Sequence, residues 1–244
     1  MPLHQKETLT YNVDVSNPLR QQIKRAASTF GLEVMTPRGR QDLVRGHQTV
    51  VDEYLQLLAR THGVRLPANP NRTELLTRLV GTGTGEGSHL IVSLAAVMSL
   101  PGDVCECGVG SGATSALLAN ELRGSGKVLW LYDTFSGLPA PTAEDELIDD
   151  IDQLGSMSAY VGHMSHPESE MRARMKKLDI PPTAFRVIQG LFDATITDDR
   201  LPEQVCFAYV DFDFYAPIKA ALEKLGVGEV TSAVCKSRLP EEPT

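Results

Sequence analysis

The sequence DVCECGVGSG at residues 103–112 decides the fold of this chain of 244 residues. A short apolar run breaks into glycines at alternate positions, Gly108, Gly110 and Gly112, and an Ala- and Leu-rich helix is predicted over residues 113–122. Glycines at this spacing allow a tight turn and let a ligand approach the main chain. The helix N-terminus then presents free N–H groups and the positive end of its dipole to that ligand. The stretch predicts a strand, a cofactor-binding turn and a helix.

A second strand is predicted over residues 127–133, and it ends in a carboxylate, Asp133, 21 residues after the third glycine. In open α/β sheets an acid at about this distance binds the ribose hydroxyls of a nucleotide. Gly108, Gly110 and Ala113 satisfy the looser G-x-G-x-x-A form of the dinucleotide fingerprint. One interpretation of the turn is therefore an NAD-dependent dehydrogenase.

Glu106 favours a different cofactor. It stands two residues before the first glycine and completes the acid-x-Gly-x-Gly-x-Gly loop of methyltransferases that use S-adenosylmethionine. About 100 residues precede the turn, and too little chain follows it for the second mononucleotide-binding half of a dinucleotide enzyme. We therefore expect S-adenosylmethionine as the cofactor, with Glu106, Gly108, Gly110, Gly112 and Asp133 as cofactor-binding residues.

Composition and charge indicate a small-molecule partner. The net charge is −8 with a sequence pI of about 5.3, and no basic run marks a surface for nucleic acid or for an anionic membrane. No stretch reaches about 18 uninterrupted apolar residues, and the N-terminus has no apolar core of signal-peptide length, so we expect a cytoplasmic protein. The cysteines lack zinc-ligand spacing and are expected to be reduced, buried packing residues: Cys105, Cys107, Cys206 and Cys235.

Helical patterns dominate the first 100 residues. Helices are predicted over residues 18–30, 40–61 and 88–100. The glycine-rich segment at residues 81–87 lacks the Gly-Lys-Ser/Thr ending of a phosphate-binding loop, so we interpret it as a hinge or lid connection. We divide the chain into a helical cap region, residues 1–100, and a cofactor-binding core, residues 101–244. The predicted fold is α/β, a mostly parallel Rossmann-like sheet with this N-terminal cap.

The sequence DTFSGLP at residues 133–139 is the most specific motif of the chain. Through it the chain resembles the macrocin O-methyltransferase family, whose members carry Asp-Thr-Phe-x-Gly-Leu-Pro after the second strand and use S-adenosylmethionine to methylate sugar hydroxyls of natural products. The resemblance implies a class I methyltransferase fold, contact between Asp133 and the cofactor ribose, and a substrate-facing insertion over residues 140–179. A segment similar to the family's Gly-x-Phe-x-x-Thr follows at residues 190–195, where Asp193 either binds the adenine or caps the next turn.

The insertion begins with a run of acidic residues: Glu144, Asp145, Glu146, Asp149, Asp150 and Asp152. Their spacings suit no rigid coordination shell, so we expect a solvated charged face rather than a metal cluster. His163 and His166 lie in a polar loop further along the insertion. The sequence assigns neither histidine a role at the mouth of the site.

A second candidate site follows an apolar strand predicted from residue 205. Asp211 and Asp213 stand at its carboxyl end, where open α/β sheets bind ligands, and alternate strand residues point to the same side. Two carboxylates suit Mg²⁺, which fills the rest of its shell with water and substrate oxygens. The family pattern Asp-x-Asp-x-Tyr, completed here by Tyr215, implies that Asp211 is the catalytic base or binds Mg²⁺ together with Asp213. A helix-capping role is the alternative for Asp213.

The resemblance covers about residues 100–225 and then breaks. Family members carry an Asp-Asp-Tyr that completes the magnesium site roughly 26 residues after the first acid, whereas residues 237 and 238 here are Ser and Arg. We therefore expect a chain truncated at its C-terminus, without the final antiparallel strands of the fold. An uncovered edge strand pairs readily with another chain, so a homo-oligomer is also expected.

These patterns together predict an S-adenosylmethionine-dependent O-methyltransferase, assisted by Mg²⁺, that acts on a hydroxyl of a small molecule, most simply of a sugar. The alternative from another class is a catalytically impaired pseudoenzyme that only binds S-adenosylmethionine, which the missing acids favour. The sequence does not name the acceptor.

Overall fold

The computed structural model describes residues 17–29, 37–147, 150, 153–193, 196–226 and 233–235. The chain divides into two compact units, residues 1–46 and 47–244. Helix α1 (Asn17–Thr29) lies in the first unit, and helix α2 (Pro37–Thr61) begins there and continues into the second. Both helices start and end within a few residues of the predicted bounds. The second unit contains the sheet and the candidate site.

Within the described residues, the second unit is built on a five-stranded sheet in which every pair of neighbouring strands is parallel. The strands are β1 (Asp103–Cys107), β2 (Leu129–Asp133), β3 (Phe185–Gln189), β4 (Val205–Val210) and β5 (Ala233–Cys235). Their order in space is β3-β2-β1-β4-β5, so the direction of winding reverses between β1 and β4. Ligands bind at such a reversal, outside the carboxyl ends of the strands. The predicted α/β fold is confirmed.

Strand β5 is an addition to the prediction. The strands expected to be missing are the final antiparallel ones, whereas β5 pairs in parallel with β4 through Ala208 and Ala233 and the two residue pairs that follow. Parallel pairing beside β4 extends the sheet on the side of the predicted Asp-x-Asp site.

Helices cover both faces of this sheet, as parallel sheets require. They are α3 (Arg72–Leu76), α4 (Thr84–Val97), α5 (Ala113–Glu121), α6 (Glu168–Lys177) and α7 (Tyr215–Lys224). Side chains of β1 alternate between the two cores: Val104 lies in the core with α2 to α6, and Cys105 and Cys107 lie in the core with α7. Both thiols are buried and free, as is that of Cys206, which confirms their predicted packing role. The side chain of Cys235 lies outside the described residues.

The predicted boundary between cap and core is at residue 100, whereas the compact units of the structure divide after residue 46. Leu55, Leu76, Leu90 and Leu94 are completely buried in the same core as Val104 of the central strand. These residues form one hydrophobic core with the sheet, so the chain divides after residue 46, before most of the predicted cap region.

Helix α4 begins earlier than predicted. It starts at Thr84, where the backbone N–H of Gly83 donates to Oε2 of Glu86 at 3.4 Å and caps the first turn. The predicted hinge at residues 81–87 is therefore mostly helical. A Cβ on Gly87 would lie 2.4 Å from Cδ1 of Leu79, so α4 packs closely on the preceding segment at this glycine. In the part of the chain that the structure describes, no helix is long and apolar enough to cross a membrane.

Candidate active site

A cavity of about 470 Å³ lies at the carboxyl ends of β1, β2 and β4. The segments that line it are the β1–α5 turn, the start of the insertion, the loop after β3, the loop after β4 and the segment before α4. Its charged or titratable lining residues are Asp133, Asp211, Asp213 and His166, and no lysine or arginine is among the described residues around it. The cavity is therefore suited to a cation more than to an anion.

The glycine turn is held directly against the loop after β4. Gly108 has a φ of 93°, and a Cβ there would lie 2.1 Å from the backbone oxygen of Asp211. Gly110 has a φ of 51° and nothing within 4 Å of its Cβ position, so its main chain is open to the cavity. Gly112 is the N-cap of α5 and faces Met171 of α6 instead of the cavity. Two of the three predicted cofactor-binding glycines thus line the site.

Asp133, the last residue of β2, binds the glycine turn. Its Oδ2 accepts the backbone N–H groups of Val109 at 2.7 Å and Gly110 at 2.9 Å, and its Oδ1 accepts that of Phe135 at 2.7 Å. Two backbone N–H groups of the glycine turn are therefore already bound by a carboxylate. Asp133 still lines the cavity, and its Oδ1 has one further lone pair for a hydroxyl donor.

Glu106 lies below the cavity rather than in its wall. The residue is completely buried on β1, and its Oε1 accepts the hydroxyl of Thr114 on α5. Its Oε2 has no hydrogen-bond partner among the described residues. Burial raises the pKa of Glu106 to about 8, against the smaller opposing effect of the Ser115 and Thr114 hydroxyls, and the charges of Asp211 and Asp133 add to the rise. Glu106 supports the turn from beneath, and direct cofactor contact stays a prediction.

Asp211 and Asp213 both line the cavity, but the strand alternation used to predict this does not apply. Strand β4 ends at Val210, and Asp213 has a φ of 63° in a tight turn closed by the Phe214 N–H and the Phe212 oxygen at 2.7 Å. This loop, not the pleat of a strand, brings the carboxylates to one wall. The N-cap of helix α7 is Phe214, without a side-chain cap hydrogen bond, and the capping alternative for Asp213 stays a prediction.

Tyr209 is a site residue that sequence reasoning missed. Its side chain is completely buried on β4, and its hydroxyl donates to Oδ2 of Asp211 at 3.0 Å. Thr82 hydrogen-bonds to the same hydroxyl and lines the cavity. Burial and the nearby carboxylates of Asp211 and Glu86 raise the pKa of Tyr209, so the phenol keeps its proton.

Within the described residues, no group of three or more His, Cys, Asp or Glu side chains is placed to hold a metal ion. Asp211 and Asp213 thus stand as a pair of oxygen donors. The position at which family members complete the site, residues 237 and 238, lies outside the described residues.

The wall formed after β3 is apolar. Leu191 and Phe192 line the cavity together with Phe212, and Phe192 meets Tyr132 edge-on with ring centroids 4.8 Å apart. Asp193 follows Phe192 and is not a lining residue, and its predicted contact with the cofactor stays a prediction.

Two of the acidic residues at the start of the insertion accept hydrogen bonds from other parts of the chain. Asp145 accepts the backbone N–H of Tyr215, the first residue of α7, at 2.7 Å through Oδ1, and that of Thr142 at 2.7 Å through Oδ2. Asp150 accepts the Tyr160 hydroxyl at 2.6 Å, which lowers the pKa of Asp150. Glu144 and Glu146 are exposed, as predicted for a charged face, whereas residues 149 and 152 lie outside the described residues.

Comparison with known proteins decides the family. The family model for macrocin-O-methyltransferase (TylF) matches residues 80–228, which is more than half of the chain. The chain belongs to this family. The match begins 20 residues before the expected start, because it includes the segment before α4 that lines the cavity through Val80, Gly81 and Thr82.

Two kinds of relative illustrate the macrocin-O-methyltransferase family. A curated relative from Streptomyces olivaceus, 8-demethyl-8-(2,3-dimethoxy-alpha-L-rhamnosyl)-tetracenomycin-C 4'-O-methyltransferase, is 25% identical over 163 residues, and the match covers 61% of this chain and 61% of the relative. The structure of the O-methyltransferase NovP superposes with a TM-score of 0.51 at 21% identity over 73% of this chain and 78% of NovP. CalS11, a calicheamicin methyltransferase, has a TM-score of 0.48 at 18% identity and covers 89% of this chain and 80% of its own. The similarity to NovP supports the assignment of the α/β fold.

Proposed function

We propose that this chain is an S-adenosylmethionine-dependent O-methyltransferase that acts on a hydroxyl group of a small molecule. Membership of the macrocin-O-methyltransferase family supports this class of reaction. The tetracenomycin enzyme named above acts, by its name, on a compound that carries a rhamnosyl group. A sugar hydroxyl is therefore the acceptor that we propose first for this chain.

The hydrogen bonds of Asp133 to the glycine turn are the observation that carries the choice of cofactor. Because Oδ2 of Asp133 occupies the N–H groups of Val109 and Gly110, a pyrophosphate at this turn would displace a carboxylate and meet its negative charge. S-adenosylmethionine has no phosphate and carries a sulfonium cation, which the lining carboxylates attract. The same observation speaks against the NAD-dependent alternative.

The residues of the cavity fit the parts of S-adenosylmethionine. Asp133 would accept a ribose hydroxyl through the remaining lone pair of Oδ1, and Leu191, Phe192 and Phe212 would offer an apolar wall to the adenine. The N-terminal N–H groups of α5 face the cavity next to Ser111 and suit a carboxylate. When bound, the cofactor supplies an electrophilic methyl carbon on its sulfonium.

The methyl carbon must be attacked by an acceptor oxygen, and a neutral hydroxyl is a poor nucleophile. A group in the site therefore has to take up its proton or to polarise it. Asp211 is positioned for such a task because it lines the cavity and its carboxylate is fixed by Tyr209. Asp211 then serves either as the base or as one of two oxygen donors to Mg²⁺.

Magnesium is the less supported part of the proposal. Asp211 and Asp213 offer the one or two carboxylates that Mg²⁺ takes from proteins, and it would orient the acceptor oxygens through its open positions. Loss of turnover on adding EDTA, restored by excess Mg²⁺, would support it, and turnover unchanged by EDTA would remove Mg²⁺ from the proposal.

A transfer assay tests the function. The purified chain is incubated with S-adenosylmethionine carrying a labelled methyl group and a panel of rhamnosylated and other glycosylated compounds, and labelled product and S-adenosylhomocysteine are measured together. Equal amounts of both support the proposed reaction. Tight cofactor binding without turnover for any acceptor would favour the pseudoenzyme instead.

A further inference from the structure

His166 lines the cavity and forms a histidine–carboxylate pair with Glu170. It comes from the insertion, whereas Asp211 comes from the loop after β4. It lies in the insertion, immediately before α6, and lines the cavity with 39% of its side chain exposed. Its Nδ1 lies 3.1 Å from Oε2 of Glu170, one helical turn further along. His163, three residues earlier, is exposed and is not a lining residue.

Glu170 is itself held in place. Its Oε1 accepts Nη2 of Arg174 at 3.2 Å, and Nε of Arg174 donates to the backbone oxygen of Ser111 at 2.8 Å. A chain of hydrogen bonds therefore runs from the cofactor-binding turn through α6 to the imidazole. The hydrogen bond from His166 lowers the pKa of Glu170, so this carboxylate is ionised.

An ionised Glu170 defines the tautomer of His166. A carboxylate without a proton only accepts, so Nδ1 of the imidazole donates to it, and in a neutral imidazole the lone pair is then on Nε2. The groups that set the charge balance of the imidazole are Glu170 on α6 and, around the same cavity, Asp133, Asp211 and Asp213. A neutral imidazole oriented by a carboxylate is the arrangement of a general base.

We propose that His166, oriented by Glu170, is the base that takes the proton from the acceptor hydroxyl. This inference rests on the proposed function and names the residue for one of its steps. The acceptor oxygen forms a bond to the methyl carbon while the carbon–sulfur bond breaks and its electron pair goes to sulfur. The hydroxyl proton moves to Nε2, and the resulting imidazolium is neutralised by Glu170 until it loses the proton to water. Asp211 is then left to orient the acceptor or to bind a cation.

The experiment compares His166→Gln and Glu170→Gln with the matched control His163→Gln, which removes an imidazole from the same loop outside the cavity. For each variant kcat and KM are measured from pH 4 to pH 9, and binding of S-adenosylhomocysteine is measured by calorimetry. A histidine base gives wild-type kcat an acid limb between pH 5 and 8, whereas a carboxylate base gives one near pH 4, in the ordinary range of that group.

We expect His166→Gln to lower kcat about 100-fold and to abolish that limb, with affinity for S-adenosylhomocysteine changed less than about twofold. Glu170→Gln should lower kcat about 10-fold, because the imidazole loses the carboxylate that orients it. His163→Gln should match the wild type. If the wild type is active and His166→Gln has the same dependence of kcat on pH, this inference is wrong and the proposed function stands. If the folded wild type transfers no methyl group, the proposed function is wrong as well.

Discussion

The hydroxyl of Tyr209 donates to Oδ2 of Asp211 at 3.0 Å, from a completely buried position on the strand that ends directly before this acid. The contact joins the hydrophobic core to the wall of the cavity. It fixes the orientation of a carboxylate whose loop holds a left-handed residue, Asp213, two positions later.

Tyr209→Phe should therefore lower kcat about 10-fold while KM for both substrates stays within about twofold. Tyr132→Phe is the matched control, because Tyr132 is also a buried strand tyrosine, and its hydroxyl donates to the oxygen of Arg200 at 2.9 Å, outside the cavity. Each variant should lose about 1 kcal/mol in free energy of unfolding. Equal kcat values for the two variants would show that the Tyr209 hydroxyl has only a structural role.

The glycine turn can be tested by two alanine substitutions with opposite signatures. In Gly108→Ala the new Cβ meets the Asp211 oxygen, so we expect a loss of roughly 3 kcal/mol in free energy of unfolding. In Gly110→Ala the Cβ meets no protein atom, so stability should fall by only about 1 kcal/mol, whereas affinity for S-adenosylmethionine should fall at least 10-fold. Denaturant unfolding and calorimetry measure the two quantities. Unchanged affinity in Gly110→Ala would mean that the ligand does not approach the turn.

The raised pKa of buried Glu106 should make the stability of the fold depend on pH. Its pKa in the folded chain is raised to about 8, above its ordinary value of 4.5, so between these values the folded state retains a proton that the unfolded state has released. Stability is therefore fully present below about pH 4.5 and is lost as pH rises toward 8. We expect the Tm of the wild type to fall more between pH 5 and 8 than that of Glu106→Gln, by several degrees. Parallel Tm curves for the two proteins would contradict this.

The strand, turn and helix around residues 103–121 were predictable because the apolar run and the glycines are contiguous. The position of Asp133 was predictable for the same reason, since it directly ends a short apolar strand. The start of α4 was missed because glycines at 83, 85 and 87 weaken helix propensity, while close packing on Leu79 and the cap by Glu86 stabilise the helix. Contacts between distant segments have no local signal. Asp145, for example, is 70 residues from its partner Tyr215.

Asp145 gives a further test of the insertion. Asp145→Ala removes the acceptor for the Tyr215 N–H at the start of α7, so it should cost about 1 kcal/mol in free energy of unfolding and lower Tm by about 2–4 °C. Glu144→Ala, at an exposed neighbouring acid, should leave Tm within 1 °C of wild type by the usual small effect of surface substitutions. Equal Tm values for the two variants would show that the acidic run is only a solvated face.

The choice of cofactor is tested most directly by calorimetric titration of the wild type and of Asp133→Ala with S-adenosylmethionine and with NAD⁺, with Asp199→Ala as an exposed control. We predict micromolar binding of S-adenosylmethionine by wild type and control, a loss of roughly 10- to 100-fold in Asp133→Ala, and no binding of NAD⁺. Binding of NAD⁺ by the wild type, or S-adenosylmethionine affinity that is indifferent to Asp133, would contradict the account.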